Sequence, residues 1–152
     1  MSFRYSIRLL ALCFIMFISL AAFAQSNPWN DTQTVQPAAL NKELADAKTA
    51  PTVLFVGFGR LYTAGHIKGA QFHGSGGSPD GLAQIKAWAA SIAKSSNLVI
   101  YCGCCPMERC PNVRPAFTAL REMGFTKLRV LILPTDFAKD WADQGFPYDK
   151  GQ

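Results

Sequence analysis

Leu98-Val99-Ile100-Tyr101-Cys102-Gly103-Cys104-Cys105-Pro106-Met107-Glu108-Arg109-Cys110-Pro111 is the stretch on which the reading turns. Leu98 to Tyr101 is an unbroken apolar run that leads directly into a cysteine. A run this short and continuous predicts a strand buried on both faces. Beyond the cysteine lies a nine-residue loop from Gly103 to Pro111, rich in sulfur and proline. Cys102, Cys104, Cys105 and Cys110 all lie within nine residues, so they close only tiny loops. A disulfide framework staples distant parts of a small fold. These four point instead to local chemistry.

On the C-terminal side, Val113, Phe117 and Leu120 mark one face of a helix. Gly124 ends it in the position that favours a left-handed residue. Leu128 to Leu133 reads as a further strand, and Thr135 as the cap of a last short helix carrying Phe137 and Trp141. Gly145 and Pro147 terminate that helix. On the N-terminal side, Leu82, Ile85, Ala89 and Ile92 mark a helix with Ser78 or Asp80 as its cap. Gly57 to Gly81 reads as a loop-rich stretch, Val53 to Val56 as a buried strand, and Pro37 to Lys48 as a helix with Pro37 in its first turn. The resulting order, α-β-α-β-α-β-α, predicts an α/β fold: a mainly parallel central sheet with helices on both faces. Ligands of such sheets bind beyond the carboxyl ends of the strands, where Cys102 stands.

The chain has 152 residues, 49% of them apolar, which allows one domain with a packed core. Residues 1–24 stand apart from it. Arg4 and Arg8 precede an apolar run from Leu9 to Leu20, and Ala22-Phe23-Ala24 supplies a small-x-small cleavage pattern. This predicts a signal peptide, and hence an exported protein, periplasmic or secreted. The run is too short for a comfortable span, so no stable membrane insertion is expected after cleavage. Residues 25–34 read as a linker and 35–149 as the domain. Without Arg4 and Arg8 the chain carries 13 basic and 10 acidic residues. That mild excess suits small anions and is no footprint for nucleic acid.

Four motifs in order now resemble a known family. Tyr62-x-x-Gly65-His66-Ile67-x-Gly69-Ala70 is similar to the Y-x-x-G-H-I-x-G-A signature of the rhodanese homology domain. Val99-Ile100-Tyr101-Cys102 resembles the strand that delivers that family's catalytic cysteine. Leu120-x-x-x-Gly124-Phe125 and Trp141-x-x-x-Gly145-x-Pro147 resemble its later helix end and its closing pattern. The resemblance covers about residues 35–149. It implies a rhodanese-like fold and a sulfurtransferase. Cys102 would take a sulfane sulfur from a small sulfur-containing anion such as thiosulfate, hold it as a persulfide, and pass it to a thiol or other thiophilic acceptor. No organic cofactor is implied. The chain departs from the family pattern at Phe55 and Gly57, where an Asp and an Arg are usual, and in its longer, cysteine-rich loop.

A thiol attacks only as thiolate. Gly103 lets the backbone curl into an anion nest. The helix beginning near Asn112 aims its positive end toward the loop. Arg109 and Arg114 add full charges. These features predict a Cys102 pKa below that of a free thiol, with Gly103, Cys104, Cys105, Arg109, Cys110 and Arg114 forming the substrate cradle. Cys104, Cys105 and Cys110 are also candidates for a resolving thiol or a loop disulfide. His66 reads as a residue that organises its loop by hydrogen bonding. Two other readings stay open. Cys102-x-x-Cys105 has the spacing of a thiol–disulfide oxidoreductase, and the domain could instead bind sulfur species or metal without turnover. No metal is expected, because zinc sites gather two separated ligand pairs.

Overall fold

A computed structural model of the protein describes residues 29–151. The expected signal peptide, residues 1–24, lies outside the described residues. In chain order the elements are a 3-10 turn (Asp31–Gln33), β1 (Thr34–Val35), α1 (Pro37–Ala45), β2 (Thr52–Phe55), α2 (Gly59–Ala64), β3 (His66–Ile67), β4 (Gln71–Phe72) and α3 (Pro79–Ala90). Then come β5 (Leu98–Tyr101), a second 3-10 turn (Met107–Arg109), α4 (Val113–Glu122), β6 (Leu128–Leu131), a π-helical turn (Ala138–Ala142) and β7 (Tyr148–Asp149).

Five strands form one sheet in the order β1-β6-β5-β2-β4, and every neighbouring pair is parallel. β3 and β7 pair antiparallel in a small separate ribbon. The chain lays β4 outside β2, then crosses back to add β5 and β6 on the other side of β2. The reversal falls between β2 and β5, so a crevice opens beyond their carboxyl ends.

β5 is buried on both faces, which is why its sequence has no polar alternation. Leu98, Ile100 and Cys102 face a core layer that includes Ile85 and Ala89 of α3 and Val113, Phe117 and Leu120 of α4. Val99 and Tyr101 face the opposite layer with Leu40, Phe55 and Trp141. Truncating a side chain such as the fully buried Ile100 to alanine costs about 2–5 kcal/mol.

The helix ends follow their sequence signals. Ser78 Oγ accepts the Gly81 N–H at 3.1 Å and opens α3. At the end of α4, Gly124 adopts φ +92°, Phe125 N–H donates to the Leu120 carbonyl, and Gly124 N–H donates to that of Arg121. This is a Schellman motif. Two expectations change, and the loop-rich 57–81 segment gains detail: it holds α2, β3 and β4. They are too short for a periodic signature and are fixed by Tyr62 Oη donating to the Ala70 carbonyl at 2.7 Å within the segment and by Ile67 N–H donating to Tyr101 Oη of β5 at 2.8 Å. The last helix is a π turn that Thr135 does not cap: Asp136 Oδ1 accepts the Lys139 N–H at 2.8 Å, and Asp140 Oδ2 reaches back to accept the Thr135 and Asp136 N–H groups. Finally, part of the stretch read as linker is structured. Trp29 is buried, edge-on to Phe117 at 5.8 Å, and Asn30 closes a capping box with Gln33 before β1 begins at Thr34.

Candidate functional site: a thiol cluster beyond the central strand

β5 carries Cys102 to the switch point between β2 and β5. Val56 N–H donates to the Tyr101 carbonyl at 2.8 Å and holds the two strand ends together. There the neighbouring chain has no side chain to spare: a Cβ on Gly57 would lie 2.9 Å from Cys102 Sγ and 2.6 Å from the Phe55 ring. Gly103 then turns the backbone through φ +79°, a conformation that strains other residues. Its carbonyl accepts the Phe137 N–H at 3.0 Å, which ties the loop to the segment after β6.

The loop folds its thiols onto one another. Cys102 Sγ is 3.2 Å from Cys104 Sγ, and Cys104 Sγ is 3.2 Å from Cys105 Sγ. The sulfurs of Cys102, Cys104 and Cys110 all lie within 4.8 Å of one another. All four described cysteines are free, with Cys102 and Cys110 buried and Cys104 and Cys105 half-buried.

Asn112, fully buried at the start of α4, braces the cluster. Its Oδ1 accepts from Ser75 Oγ at 2.8 Å and from Gly77 N–H at 2.9 Å. Those two donors fix the amide orientation, so Nδ2 faces Cys102 Sγ and donates to it at 3.4 Å.

The thiols are not electrostatically equal. Cys110 is lowered to about 6: it accepts from the Cys102 thiol, and the backbone N–H groups of Asn112 and Val113 at the start of α4 also point at it. Cys102 is raised, first because it donates to Cys110 and then because it is buried. Burial, reinforced by the neighbouring sulfurs, pushes Cys105 up to about 12. The anion nest expected around Cys102 is therefore directed at Cys110. Cys102 keeps only the Cys104 N–H and the Asn112 amide as donors beside the other thiols.

Two spaces meet at Cys102. One is a void of about 10 Å³ against Cys102, Cys105, Met107 and Cys110, walled by Val113, Leu131 and Leu133. The other is an open cavity of about 410 Å³ whose lining includes Phe55, Leu61, Cys102, Gly103, Phe137 and Tyr148, with Asp136, Asp143 and Lys150 also on its wall. Cys102 is the only one of the four cysteines on that second wall.

No family model matches the sequence, and no curated protein matches it. Solved structures do. Crystal structures of BH2092 from Bacillus halodurans and Alr3790 from Anabaena sp. superpose with TM-scores of 0.62 and 0.58 at 18% and 21% identity. They cover 78% and 76% of this chain and 77% and 82% of theirs. The solution structure of the rhodanese-like domain of Alr3790 gives a TM-score of 0.56 at 24% identity, over 78% of this chain and 79% of that domain. The fold is rhodanese-like. EanB, described in a cysteine-persulfide state with ergothioneine, aligns over 77% of this chain and 28% of its own, with a TM-score of 0.54 and 22% identity.

Within this rhodanese-like fold the expected site residues separate into two groups. Cys102, Gly103, Cys104, Cys105 and Cys110 come together. The arginines do not join them. Arg109 is exposed, and Arg114 lies over the Trp29 ring at 5.3 Å with Nη2 donating to the Glu108 carbonyl. The turn at Gly103 sets Cys104 Sγ beside Cys102 Sγ at 3.2 Å, with Cys105 Sγ 3.2 Å beyond Cys104. His66 is buried, donates Nδ1–H to the Tyr62 carbonyl at 2.8 Å, and stacks on the Tyr62 ring at 3.8 Å, contacts that tie it to the end of α2. Sequence reasoning found Gly57 only as a departure from the family pattern, and it missed the side-chain role of Asn112. An asparagine immediately before a helix is a visible signal, but one that suggests a cap. Here no cap hydrogen bond forms, because the amide is turned to the 75–77 loop and to sulfur.

Proposed function

We propose that the protein is a sulfurtransferase-like enzyme that carries a sulfane sulfur as a persulfide on Cys102 and passes it to a thiophilic acceptor. The observation that carries this reading is that Cys102 alone joins the thiol cluster to the 410 Å³ cavity. A donor in that cavity meets Cys102, which attacks as the thiolate after giving up its proton. With thiosulfate as donor, Cys102 Sγ attacks the outer sulfur. An S–S bond forms, the bond to the sulfite group breaks, and sulfite leaves with the electron pair. In the second half, a thiol or other nucleophile attacks the outer sulfur of the persulfide, and the pair returns to Cys102 Sγ. Asn112 Nδ2 and the Cys104 N–H support negative charge on that atom during both steps. The mainly apolar wall from Phe55, Leu61, Phe137 and Tyr148 favours desolvation of the reacting anions. The 1–24 segment supports an exported setting, periplasmic or secreted. Among the described residues no helix is long and apolar enough to cross a membrane.

The experiment is intact mass spectrometry of the reduced protein after incubation with thiosulfate, with peptide mapping of the adduct. A one-sulfur gain on Cys102 is expected, lost in Cys102→Ser and removed by a thiol acceptor. An adduct that persists in Cys102→Ser, or none in the wild type, overturns the assignment.

A further inference from the structure

The same loop has a second capability that sulfur transfer does not use. Three sulfur atoms, those of Cys102, Cys104 and Cys110, converge within 4.8 Å, and the closest edge is 3.2 Å. A metal–sulfur bond of about 2.3 Å places three ligand sulfurs around one ion about 4 Å apart. The observed range brackets that value, so small side-chain rotations close the triangle without moving β5 or α4.

From this convergence we propose that the cluster is a trigonal, all-thiolate site for a single Cu(I) ion. Three features select the ion. The donor set is entirely soft: among the described residues, no histidine or carboxylate joins the three sulfurs. Thiolates without harder donors favour Cu(I), zinc or iron–sulfur clusters. Zinc takes four ligands in a closed site, and Cys105 lies outside the mutual 4.8 Å set. The adjoining 10 Å³ void, bordered by Cys105, Met107, Val113, Leu131 and Leu133, leaves room for about one water at most on that side of the cluster.

Binding is a ligand exchange and moves no electrons. The three sulfurs bind Cu(I) as thiolates, and the thiol protons they release go to solvent. Negative charge on three sulfurs in a buried site needs compensation beyond the single positive ion. The donors for it are already aimed: Asn112 Nδ2 and the Cys104 N–H at Cys102, and the Asn112 and Val113 N–H groups at Cys110.

The test uses fully reduced protein never exposed to a sulfur donor, so its outcome is independent of whether Cys102 carries sulfur. Cu(I) is titrated in the presence of a chromophoric Cu(I) chelator, with a parallel Zn(II) titration. One equivalent of Cu(I) should be retained, and X-ray absorption should show three sulfur neighbours. Cys104→Ser should lose half its copper at a chelator concentration about tenfold lower, or lower still, with circular dichroism confirming its fold. Failure to hold Cu(I) against the chelator, retention of Zn(II) in its place, or a copper environment with fewer than three sulfurs overturns the proposal. The X-ray absorption result on wild type decides the matter even if the variant does not fold.

Discussion

Asn112 and Cys102 are ten residues apart in sequence and joined by one contact: Asn112 Nδ2 donates to Cys102 Sγ at 3.4 Å. The contact exists because the other end of the same amide is clamped by Ser75 Oγ and Gly77 N–H. Asn112 thus couples three pieces of chain, the 75–77 loop, the start of α4 and the reactive end of β5. Asn112→Ala should destabilise the protein through the two donors left without an acceptor, at about 1–3 kcal/mol for each group that stays dry. Urea unfolding should show a lower midpoint at unchanged slope. A midpoint equal to that of the wild type would show that water replaces the amide and that the brace is dispensable.

The direction of the thiol shifts makes a pH prediction. Cys110 falls from the ordinary 9.0 to about 6. An acid whose folded pKa is depressed contributes stability that is complete above its unfolded value and lost as pH falls through the folded one. This contribution therefore grows from about pH 6 to pH 9. Cys102 and Cys105 are raised, so their contribution is present below 9 and is lost at higher pH. The cluster's part of the stability should peak near pH 9. Thiolate absorbance should show one group ionising with a midpoint of about 6, absent in Cys110→Ser. If that step survives in Cys110→Ser and vanishes in Cys102→Ser, the anion sits on the other sulfur.

Gly57 controls the room around Cys102. A Cβ there would meet Cys102 Sγ at 2.9 Å and the Cys102 carbonyl at 3.0 Å, and the carbonyl belongs to the backbone and cannot swing aside. Gly57→Ala should cost about 1–3 kcal/mol of stability as an overpacking change. It should also slow the reaction of thiosulfate with Cys102. Thermal unfolding and the rate of adduct formation read the two effects separately, and an unchanged rate would place the approach to Cys102 elsewhere.

The loop geometry also orders the thiols on oxidation. Cys104 and Cys110 share the 4.8 Å set with Cys102, and Cys105 does not. Mild oxidation followed by alkylation and peptide mapping should find Cys102 paired with Cys104 or Cys110, with Cys105 still alkylated. A dominant Cys102–Cys105 disulfide would restore the C-x-x-C reading of the sequence.

The local sequence was sufficient for the strand that ends in Cys102, the Ser78 and Gly124 helix boundaries, and the parallel α/β arrangement, because those depend on periodicity, capping and residue size. His66 was legible as a loop organiser for the same reason: its partner, Tyr62, is four residues away. The segments before β1 and between β2 and α3 were not legible as structure. They are too short to carry a period, and their contacts reach to Phe117 and Tyr101.

The amino-acid sequence by itself determined that a thiol would stand at the carboxyl end of a central buried strand, ahead of a loop dense in sulfur. Only the tertiary structure decided which sulfur would hold the charge. The start of α4 lies next to Cys110, and the two backbone N–H groups there favour an anion on that atom, while Cys102 is left to donate to it. Spacing along a chain counts residues. It does not say where a free amide hydrogen points, because that depends on how a turn at Gly103 and a buried asparagine orient the loop against the helix.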